Sequence, residues 1–364
     1  MMKPTPITLS LEGVNTALRD DIAWYDVKNA PFSIYGVYHD GKQFRRIPQD
    51  VADATNEGVA SLCRCTAGGR VRFATDSHYI AIAAKFCRYK PNPHMAACGQ
   101  SGFDLAYEES EGYYTFKCGF APWGATEKGY SSLYAMGNGG KMVQYQLNMP
   151  LYNEVLELYI GIRKDAGLEA GKPYPNKSPI VYYGSSITQG ACAIRPSNAY
   201  EEMISRSLGL DYRNIGFSDS ALGEDAIVSY LADQDMMVFV SDYDHNARTT
   251  EMLEATHEKL YLAIRKKHPT IPYIMATRPS DCFNPADRKA RFEIVKKTYE
   301  NALARGDKNV YFVSGYDYFP KHLRGMDSSD ATHPSDIGFY FMAKAIGGTI
   351  AKALGMHCDL CDDD

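Results

Sequence analysis

Five short apolar segments alternate with longer segments of helical pattern in the second half of the chain. The apolar segments cover residues 180–183, 212–217, 236–240, 271–275 and 310–313, and helices are predicted over 200–208, 224–232, 249–267, 286–305 and 336–354. Strands that alternate with helices form a parallel sheet that is covered by helices on both faces. The sequence therefore predicts an α/β fold with a five-stranded parallel sheet.

The first half of the chain has a different pattern. Between residues 24 and 160, segments rich in β-branched and aromatic residues are separated by Gly, Asn, Asp and Pro turns. This pattern predicts short strands with little helix, packed as an all-β sandwich or jelly roll. A connector that contains Gly, Pro and Lys follows at 163–179, so we predict two domains, residues 1–175 and 176–364.

The charge pattern excludes some classes of partner. The net charge is −5, and the lysines and arginines are spread along the chain without a basic cluster. We therefore expect neither nucleic acid nor an anionic membrane as a partner. The amino terminus has no apolar core like that of a signal peptide, and no apolar run approaches the ~20 residues that cross a bilayer. We expect a cytoplasmic protein.

The nine cysteines do not have the pattern of a disulfide framework. Their number is odd and their spacing irregular, so we expect most of them to be reduced core residues. The segment from His357 to Cys361 resembles half of a metal site, but no second cluster with ligand spacing accompanies it. We expect no bound metal.

The segment around Ser186 predicts a nucleophile. The apolar run 180–183 stops at Gly184, which allows a tight turn, and a sequence suited to a helix follows. A serine at the start of a helix lies beside unpaired backbone N–H groups, which stabilise an oxyanion. The alternative is a strand, a turn and a serine that only caps the helix.

Four polar clusters lie at the ends of predicted strands or before the last helix. In such a sheet, ligands bind outside the carboxyl ends of the strands. The clusters are Gly184-Ser185-Ser186-Ile187-Thr188-Gln189-Gly190, Asn214-Ile215-Gly216-Phe217-Ser218-Asp219-Ser220, Ser241-Asp242-Tyr243-Asp244-His245-Asn246-Ala247 and Asp330-Ala331-Thr332-His333-Pro334-Ser335. Their order and spacing resemble those of the SGNH (GDSL) hydrolases, which implies that the five-stranded parallel sheet is flavodoxin-like. Gly102-Phe103-Asp104-Leu105 also resembles the Gly-x-Asp-Leu-Tyr signature of a β-domain that precedes some of these enzymes, with Ala106 in place of Tyr.

The resemblance implies a catalytic triad in which Ser186 is the nucleophile, His333 the general base and Asp330 the carboxylate that orients the imidazole. These roles agree with the chemistry, because a hydroxyl needs a base within reach and the base needs a partner that fixes its tautomer. The resemblance also implies an oxyanion hole made by the backbone N–H groups of Ser186 and Asp219 and by the side-chain amide of Asn246.

The chain departs from the family pattern at Asp219, where a glycine is usual. A glycine there holds a positive φ more easily than Asp does, and a carboxylate beside an oxyanion opposes its charge. Three further residues are candidates for substrate contact: His245 beside Asn246, Arg195 after the nucleophile loop, and Arg278 after the fourth strand. For each of them a purely structural hydrogen bond or ion pair is the alternative.

Together these observations predict a serine esterase that hydrolyses small acyl esters through an acyl-enzyme on Ser186. The two-domain layout resembles that of carbohydrate acetyl esterases, which implies an acetylated oligosaccharide as the small-molecule substrate and no cofactor. The alternatives are a lysophospholipase or thioesterase, and a weakened or non-catalytic carbohydrate-binding member because of Asp219. The sequence leaves open which sugar and which acetylated position are recognised, the oligomeric state, including a homo-oligomer, and the role of the acidic tail that contains His357, Cys358 and Cys361.

Overall fold

The computed structural model describes residues 4–279 and 285–362, and its contacts divide the chain into two units. The first unit contains the chain up to Arg46, Arg64–Tyr174 and Ile194–Ser197. The second unit contains Ile47–Cys63, Pro175–Ala193 and the chain from Asn198 onward. Each unit therefore includes a short segment that is embedded in the sequence of the other.

The first unit is built from twelve strands. They are β1 (Ile22–Asp26), β2 (Ser33–Tyr35), β3 (Tyr38–His39), β4 (Phe44–Arg45), β5 (Arg70–Thr75), β6 (Tyr79–Phe86), β7 (Phe103–Ser110), β8 (Tyr113–Phe120), β9 (Gly129–Ala135), β10 (Val143–Asn148), β11 (Val155–Arg163) and β12 (Leu168–Ala170). Three short helices interrupt them in sequence: α1 (Gln49–Thr55), α2 (Glu57–Leu62) and α3 (Ala97–Ser101).

Two antiparallel sheets make up most of this unit. One has the order β1-β11-β6-β9, and the other has the order β12-β5-β10-β7-β8 with β2 paired to β5. Buried residues from both sheets, such as Ile82 of β6 and Phe73 of β5, belong to one hydrophobic cluster, so the sheets pack face to face. The prediction of a β domain in the first half is confirmed, and its sheets are antiparallel.

Asp104, from the Gly-x-Asp-Leu sequence, is a buried carboxylate of the first unit. Its oxygens accept hydrogen bonds from Asn148 Nδ2 at 2.7 Å and from the Ser197 N–H at 2.7 Å. Burial raises the pKa of Asp104, although these two donors and the charge of Arg195 act in the opposite direction. The motif residue therefore ties strand β10 to the segment Ile194–Ser197 within the first unit.

The second unit alternates strands and helices in the predicted order. Its strands are β13 (Ile180–Gly184), β14 (Tyr212–Gly216), β15 (Val238–Asp242), β16 (Tyr273–Ala276) and β17 (Val310–Val313). Its later helices are α4 (Ser186–Gln189), α5 (Tyr200–Leu208), α6 (Asp225–Ala232), α7 (Thr250–Lys267), α8 (Pro285–Ala304) and α9 (Asp336–Leu354).

The five strands form one parallel sheet in the order β14-β13-β15-β16-β17. This is the flavodoxin-like strand order, and the prediction of such a sheet is confirmed. The order reverses direction at β13, so the carboxyl ends of β13, β14 and β15 meet beside one crevice. The fourth strand begins at Tyr273 rather than at residue 271, because Pro272 has no N–H to join the ladder.

Helices α1 and α2 were not predicted, and they belong to the second unit. Ile47, Ala52 and Val59 from this segment are fully buried in a cluster that also contains Phe217 and Ile227. Both helices have seven residues or fewer, which is too short for a clear helical period in the sequence. A single boundary at 175/176 therefore does not describe how the second unit is assembled.

No helix in the described ranges, 4–279 and 285–362, is long and apolar enough to span a bilayer. No disulfide joins the eight cysteines that lie in those ranges, and Cys63, Cys65, Cys192 and Cys358 are buried. Cys282 lies outside the described residues.

Candidate active site

Ser186 lies just beyond the carboxyl end of β13 and is the first residue of α4. Ser185 is the N-cap, and its side-chain oxygen accepts a hydrogen bond from the Ile187 N–H at 3.1 Å. The helix is a single turn that ends at Gly190, whose φ of 91° lies in the left-handed region. The neighbouring serine therefore satisfies the cap, and the Ser186 hydroxyl is left to other partners.

Gly184 is required for space rather than for a special backbone conformation. A Cβ atom at this position would collide with Thr188 Oγ1 and would lie 2.5 Å from the carbonyl oxygen of Asp242. The Ser185 N–H donates to that same carbonyl at 3.1 Å, which holds the turn against the end of β15. Close approach of two loops explains the glycine that precedes the two serines.

His333 and Asp330 lie on the loop that precedes α9, and they meet Ser186. His333 Nε2 is 2.9 Å from Ser186 Oγ, and His333 Nδ1 is 2.7 Å from Asp330 Oδ2. Asp330 Oδ1 accepts two backbone hydrogen bonds, from the Thr332 N–H at 3.0 Å and from the His333 N–H at 2.7 Å. The structure thus brings the three residues of the predicted triad into one hydrogen-bonded chain.

The environment of Asp330 favours its ionised form. Partial burial acts to raise its pKa, but the hydrogen bonds from His333 and Thr332 outweigh burial and lower the pKa below its usual value. An ionised carboxylate accepts a hydrogen bond from Nδ1–H of the imidazole. Nε2 of His333 is then the unprotonated nitrogen that faces Ser186 Oγ.

Asn246, a candidate oxyanion-hole residue, is anchored to the carbonyl oxygen of Phe217, which precedes Asp219 by two residues. This oxygen accepts hydrogen bonds from Asn246 Nδ2 at 2.7 Å, from the Ser220 N–H at 3.1 Å and from the Ala221 N–H at 3.2 Å. The Asp219 N–H makes no hydrogen bond within the described part of the chain. The Asn246 amide therefore has a fixed orientation, with one of its two N–H groups used and one remaining.

Asp219 adopts the backbone conformation that its position in the loop requires. Its φ is 56°, in the left-handed region that glycine occupies without cost and that Asp tolerates better than most residues. Its residue surface is exposed. Asp219 therefore holds a positive φ of the kind that glycine adopts easily, and the residue has access to solvent.

Arg291 of α8 holds the loop that carries Asn246. Its Nη1 donates to the carbonyl oxygens of Asp244 at 2.7 Å and Ala247 at 2.6 Å, and its Nε is 2.8 Å from Asp287 Oδ2. Arg291 is buried. Sequence reasoning missed this residue, because an arginine within a charged helix is usually solvated and its spacing carries no signal.

His245 lies beside Asn246 as a neutral imidazole. Burial, followed by the positive charge of Arg278, lowers the pKa of His245 to about 4. Its Nδ1 is buried and has no hydrogen-bond partner in the described ranges. Contact with substrate stays a prediction for this residue.

The two predicted arginines have structural partners. Arg278 forms an ion pair with Asp287 at 3.2 Å, and its backbone N–H donates to the Asp244 carboxylate. Arg195 belongs to the first unit, where its guanidinium lies 3.9 Å from the centroid of the Phe116 ring. These contacts agree with the structural alternative, and substrate contact by either arginine stays a prediction.

A pocket of about 220 Å³ adjoins the loop of His333 within the second unit. Ser186 and His333 do not line it, but the neighbours of His333 do. The guanidinium of Arg288 lies 3.8 Å from the centroid of the Tyr316 ring in its wall. Among its lining residues are Arg288, Tyr316, Phe319, Arg324, Asp327 and Thr332. Aromatic rings and charged groups next to the triad offer both stacking and hydrogen bonds to a polar ligand.

The cysteines of the carboxyl-terminal segment do not join its histidine. His357, Asp359 and Asp362 are exposed and lie within reach of one another, whereas Cys358 is buried and contacts Ser207. Exposed acidic groups around a histidine are a common surface arrangement, and the cluster carries no functional assignment.

Two family matches cover most of the chain. Residues 177–351 match the GDSL-like Lipase/Acylhydrolase family. Residues 22–168 match a domain described as the N-terminus of Esterase_SGNH_hydro-type proteins. No protein of curated function matches the sequence significantly.

Solved structures show the same two-part fold. A GDSL-like lipase from Bacteroides ovatus ATCC 8483 has 27% sequence identity and a TM-score of 0.83, over 93% of this chain and 99% of the other. Salicylyl-acyltransferase SsfX3 from a tetracycline biosynthetic pathway has 18% identity and a TM-score of 0.72, over 93% and 98%. A family two carbohydrate esterase from Clostridium thermocellum has 15% identity and a TM-score of 0.60, over 79% and 93%. With both halves of the chain matched, this protein belongs to the SGNH (GDSL-type) hydrolases that carry an amino-terminal GxDLY domain.

Proposed function

We propose that the protein is a serine esterase that hydrolyses small acyl esters, with acetylated carbohydrate as its substrate. The observation that carries this proposal is the chain of hydrogen bonds from Asp330 through His333 to Ser186, with distances of 2.7 and 2.9 Å. A base within hydrogen-bond reach of a hydroxyl, itself oriented by a carboxylate, is what nucleophilic attack by serine requires.

The proposed reaction begins when Ser186 Oγ attacks the ester carbonyl carbon while His333 Nε2 takes the hydroxyl proton. The negative charge on the carbonyl oxygen is stabilised by the backbone N–H groups of Ser186 and Asp219 and by the free N–H of Asn246. The attack gives a tetrahedral intermediate. Its collapse breaks the ester bond, and His333 returns its proton to the leaving alcohol. Water then attacks the acyl-enzyme by the same steps and releases the acid.

Asp219 does not argue for an inactive protein under this proposal. Its left-handed backbone conformation preserves the loop geometry, and its exposed residue surface allows the carboxylate to be hydrated. A hydrated charge interacts weakly with an oxyanion, because water screens it. We therefore favour an active esterase over a purely carbohydrate-binding protein.

The lining of the pocket beside His333 supports the proposal that the alcohol part of the ester is a sugar. Arg324 and Asp327 are hydrogen-bonding groups that suit sugar hydroxyls, and the rings of Tyr316 and Phe319 are available for stacking. The fold is also shared with an acetyl xylan esterase from Butyrivibrio proteoclasticus, at 13% identity and a TM-score of 0.54.

Substitution of Ser186 by Ala should lower the turnover number on 4-nitrophenyl acetate by at least ~1,000-fold, because the acyl-enzyme no longer forms. His333→Ala should have a similar effect, while circular dichroism and the melting temperature of both variants stay close to the wild-type values. The matched control is Ser185→Ala, which removes a helix cap worth ~1 kcal/mol of stability but retains at least a tenth of the activity. Turnover by Ser186→Ala near the wild-type rate would disprove the assignment.

A panel of esters should distinguish the substrate classes. We expect 4-nitrophenyl acetate to react faster than the butyrate and octanoate, and acetylated xylan to release free acetate. A preference for octanoate would favour a lipid esterase, and no reaction with any ester would favour the binding protein. Loss of the ester without a matching amount of free acetate would mean that the acyl group is transferred to an alcohol rather than to water.

Tyr316 tests whether the pocket accepts the sugar. Tyr316→Ala should raise the KM for acetylated xylan fragments about tenfold, since loss of one stacking contact is worth roughly 1 kcal/mol or more. The rate on 4-nitrophenyl acetate should not change, and Tyr316→Phe, which keeps the ring, should behave like the wild type. An equal loss on both substrates would instead indicate a structural role.

Asp219 can be tested by three substitutions compared in urea denaturation and in turnover. Asp219→Asn should keep stability and activity, because Asn tolerates the left-handed conformation. Asp219→Gly should have a turnover number within about threefold of the wild type, whereas Asp219→Val should lower the unfolding free energy by ~1 kcal/mol or more. A tenfold rise in turnover for both Asn and Gly would show that the carboxylate opposes the oxyanion, contrary to our expectation.

A further inference from the structure

The helices α1 and α2, with the chain 47–63 that contains them, form a hairpin that is part of the second unit. Its buried side chains pack in the cluster that includes Phe217 and Ala221. These two residues flank Asp219 on the loop after β14, here called the oxyanion loop, residues 217–223. A segment that is distant in sequence from every family motif therefore lies against the loop that carries a proposed oxyanion donor.

Asn56 is the residue of the hairpin that contacts this loop. It lies between the two helices, and its Oδ1 accepts the Val59 N–H at 2.9 Å as the N-cap of α2. Its Nδ2 donates to the carbonyl oxygen of Ser220 at 2.9 Å and to Glu224 Oε1 at 2.5 Å. The side-chain oxygen of Asn56 therefore caps α2, while its side-chain nitrogen bonds to the loop and to Glu224.

The hairpin backbone also approaches the loop closely at Gly58. A Cβ atom there would collide with Ser220 Oγ and would lie 2.8 Å from Ser220 Cβ. Only a residue without a side chain fits this approach. The two contacts, a hydrogen bond to the Ser220 carbonyl and a close packing against its side chain, fix both faces of the residue that follows Asp219.

The carbonyl oxygen of Ser220 accepts its hydrogen bond from Asn56, and the other hydrogen bonds described for the loop involve different groups. Phe217 O accepts the N–H groups of Ser220 and Ala221, which closes the turn, and the Gly223 N–H donates to the Tyr183 hydroxyl at 3.0 Å. On one side of Asp219, the Ser218 N–H donates to Gln189 Oε1 at 3.0 Å. On the other side, Asn56 donates to the carbonyl oxygen of Ser220, so the two contacts flank the residue that carries the proposed oxyanion donor.

We propose that Asn56 is a positioning residue for the oxyanion hole, acting through the Ser220 carbonyl on the direction of the Asp219 N–H. This inference rests on the proposed function, because it gives the loop a role in ester hydrolysis. A donor must lie within hydrogen-bond distance of the oxyanion to stabilise it, and displacements of about 1 Å reduce rates strongly. The hairpin is thus part of the catalytic unit although the sequence places it between strands of the first.

Asn56→Ser tests this role, because serine keeps an oxygen for the helix cap but lacks the amide donors. We expect its turnover number on 4-nitrophenyl acetate to fall about tenfold with KM within twofold of the wild type, since one donor is displaced rather than removed. The matched control is Val59→Ala, which removes buried packing from the same hairpin but keeps Asn56. Its melting temperature should fall while its turnover number stays within twofold.

Hydrogen–deuterium exchange supplies a readout that does not depend on activity. Peptides that contain residues 217–223 should exchange faster in Asn56→Ser than in the wild type and Val59→Ala. An unchanged turnover number in Asn56→Ser, an unchanged exchange rate of the loop, or an equal loss of turnover in Val59→Ala would each overturn the proposal. If the wild-type protein hydrolyses no ester, the proposed function is wrong, and the exchange comparison still decides whether Asn56 holds the loop.

Discussion

The site depends on the backbone N–H and carbonyl groups of Phe217. Its N–H donates to the carbonyl oxygen of Gly184 at 2.9 Å, next to the candidate nucleophile, and its carbonyl oxygen accepts Asn246 Nδ2 and the two N–H groups of the oxyanion loop. One residue therefore joins the ends of three strands. In a flavodoxin-like sheet these ends meet because the strand order reverses at β13, so neighbouring loops come from distant parts of the chain.

The close packing of these loops buries several polar side chains. Burial, and next the nearby Asp244 carboxylate, raise the pKa of Asp242 well above its usual value. The Arg291 guanidinium is buried beside the same loop and donates to two of its carbonyl oxygens. Buried polar groups are costly unless they are hydrogen-bonded, and once bonded they specify one arrangement. Such rigidity suits a site whose donors must point at a charge that exists only during the reaction.

The second unit contains two groups of residues near the site, those of the family motifs and those that bond to the motif loops from outside. The family motifs contain Ser186, His333 and Asn246. Arg291, on α8, and Asn56, between α1 and α2, lie outside the motifs and donate hydrogen bonds to loops of the motifs. Arg291 reaches the third loop from α8, and Asn56 reaches the second loop from the hairpin of α1 and α2. A helix or a hairpin can present a side chain to a loop more rigidly than the loop can hold itself, because its own backbone hydrogen bonds are already satisfied.

By itself the sequence determined the order of strands and helices in the second half, the β character of the first half, and the residue types that meet at the sheet's carboxyl edge. These follow from local patterns: apolar runs, helical periods and polar residues at strand ends. Only the tertiary structure decided that Gly184 is needed for space, that Asp219 holds a left-handed conformation, and that Arg291 is buried. It also decided that residues 47–63 belong with the second unit. Their two helices are too short to show a period, and what fixes them is burial against Phe217 and its neighbours, a contact between residues more than 150 positions apart that no local pattern encodes.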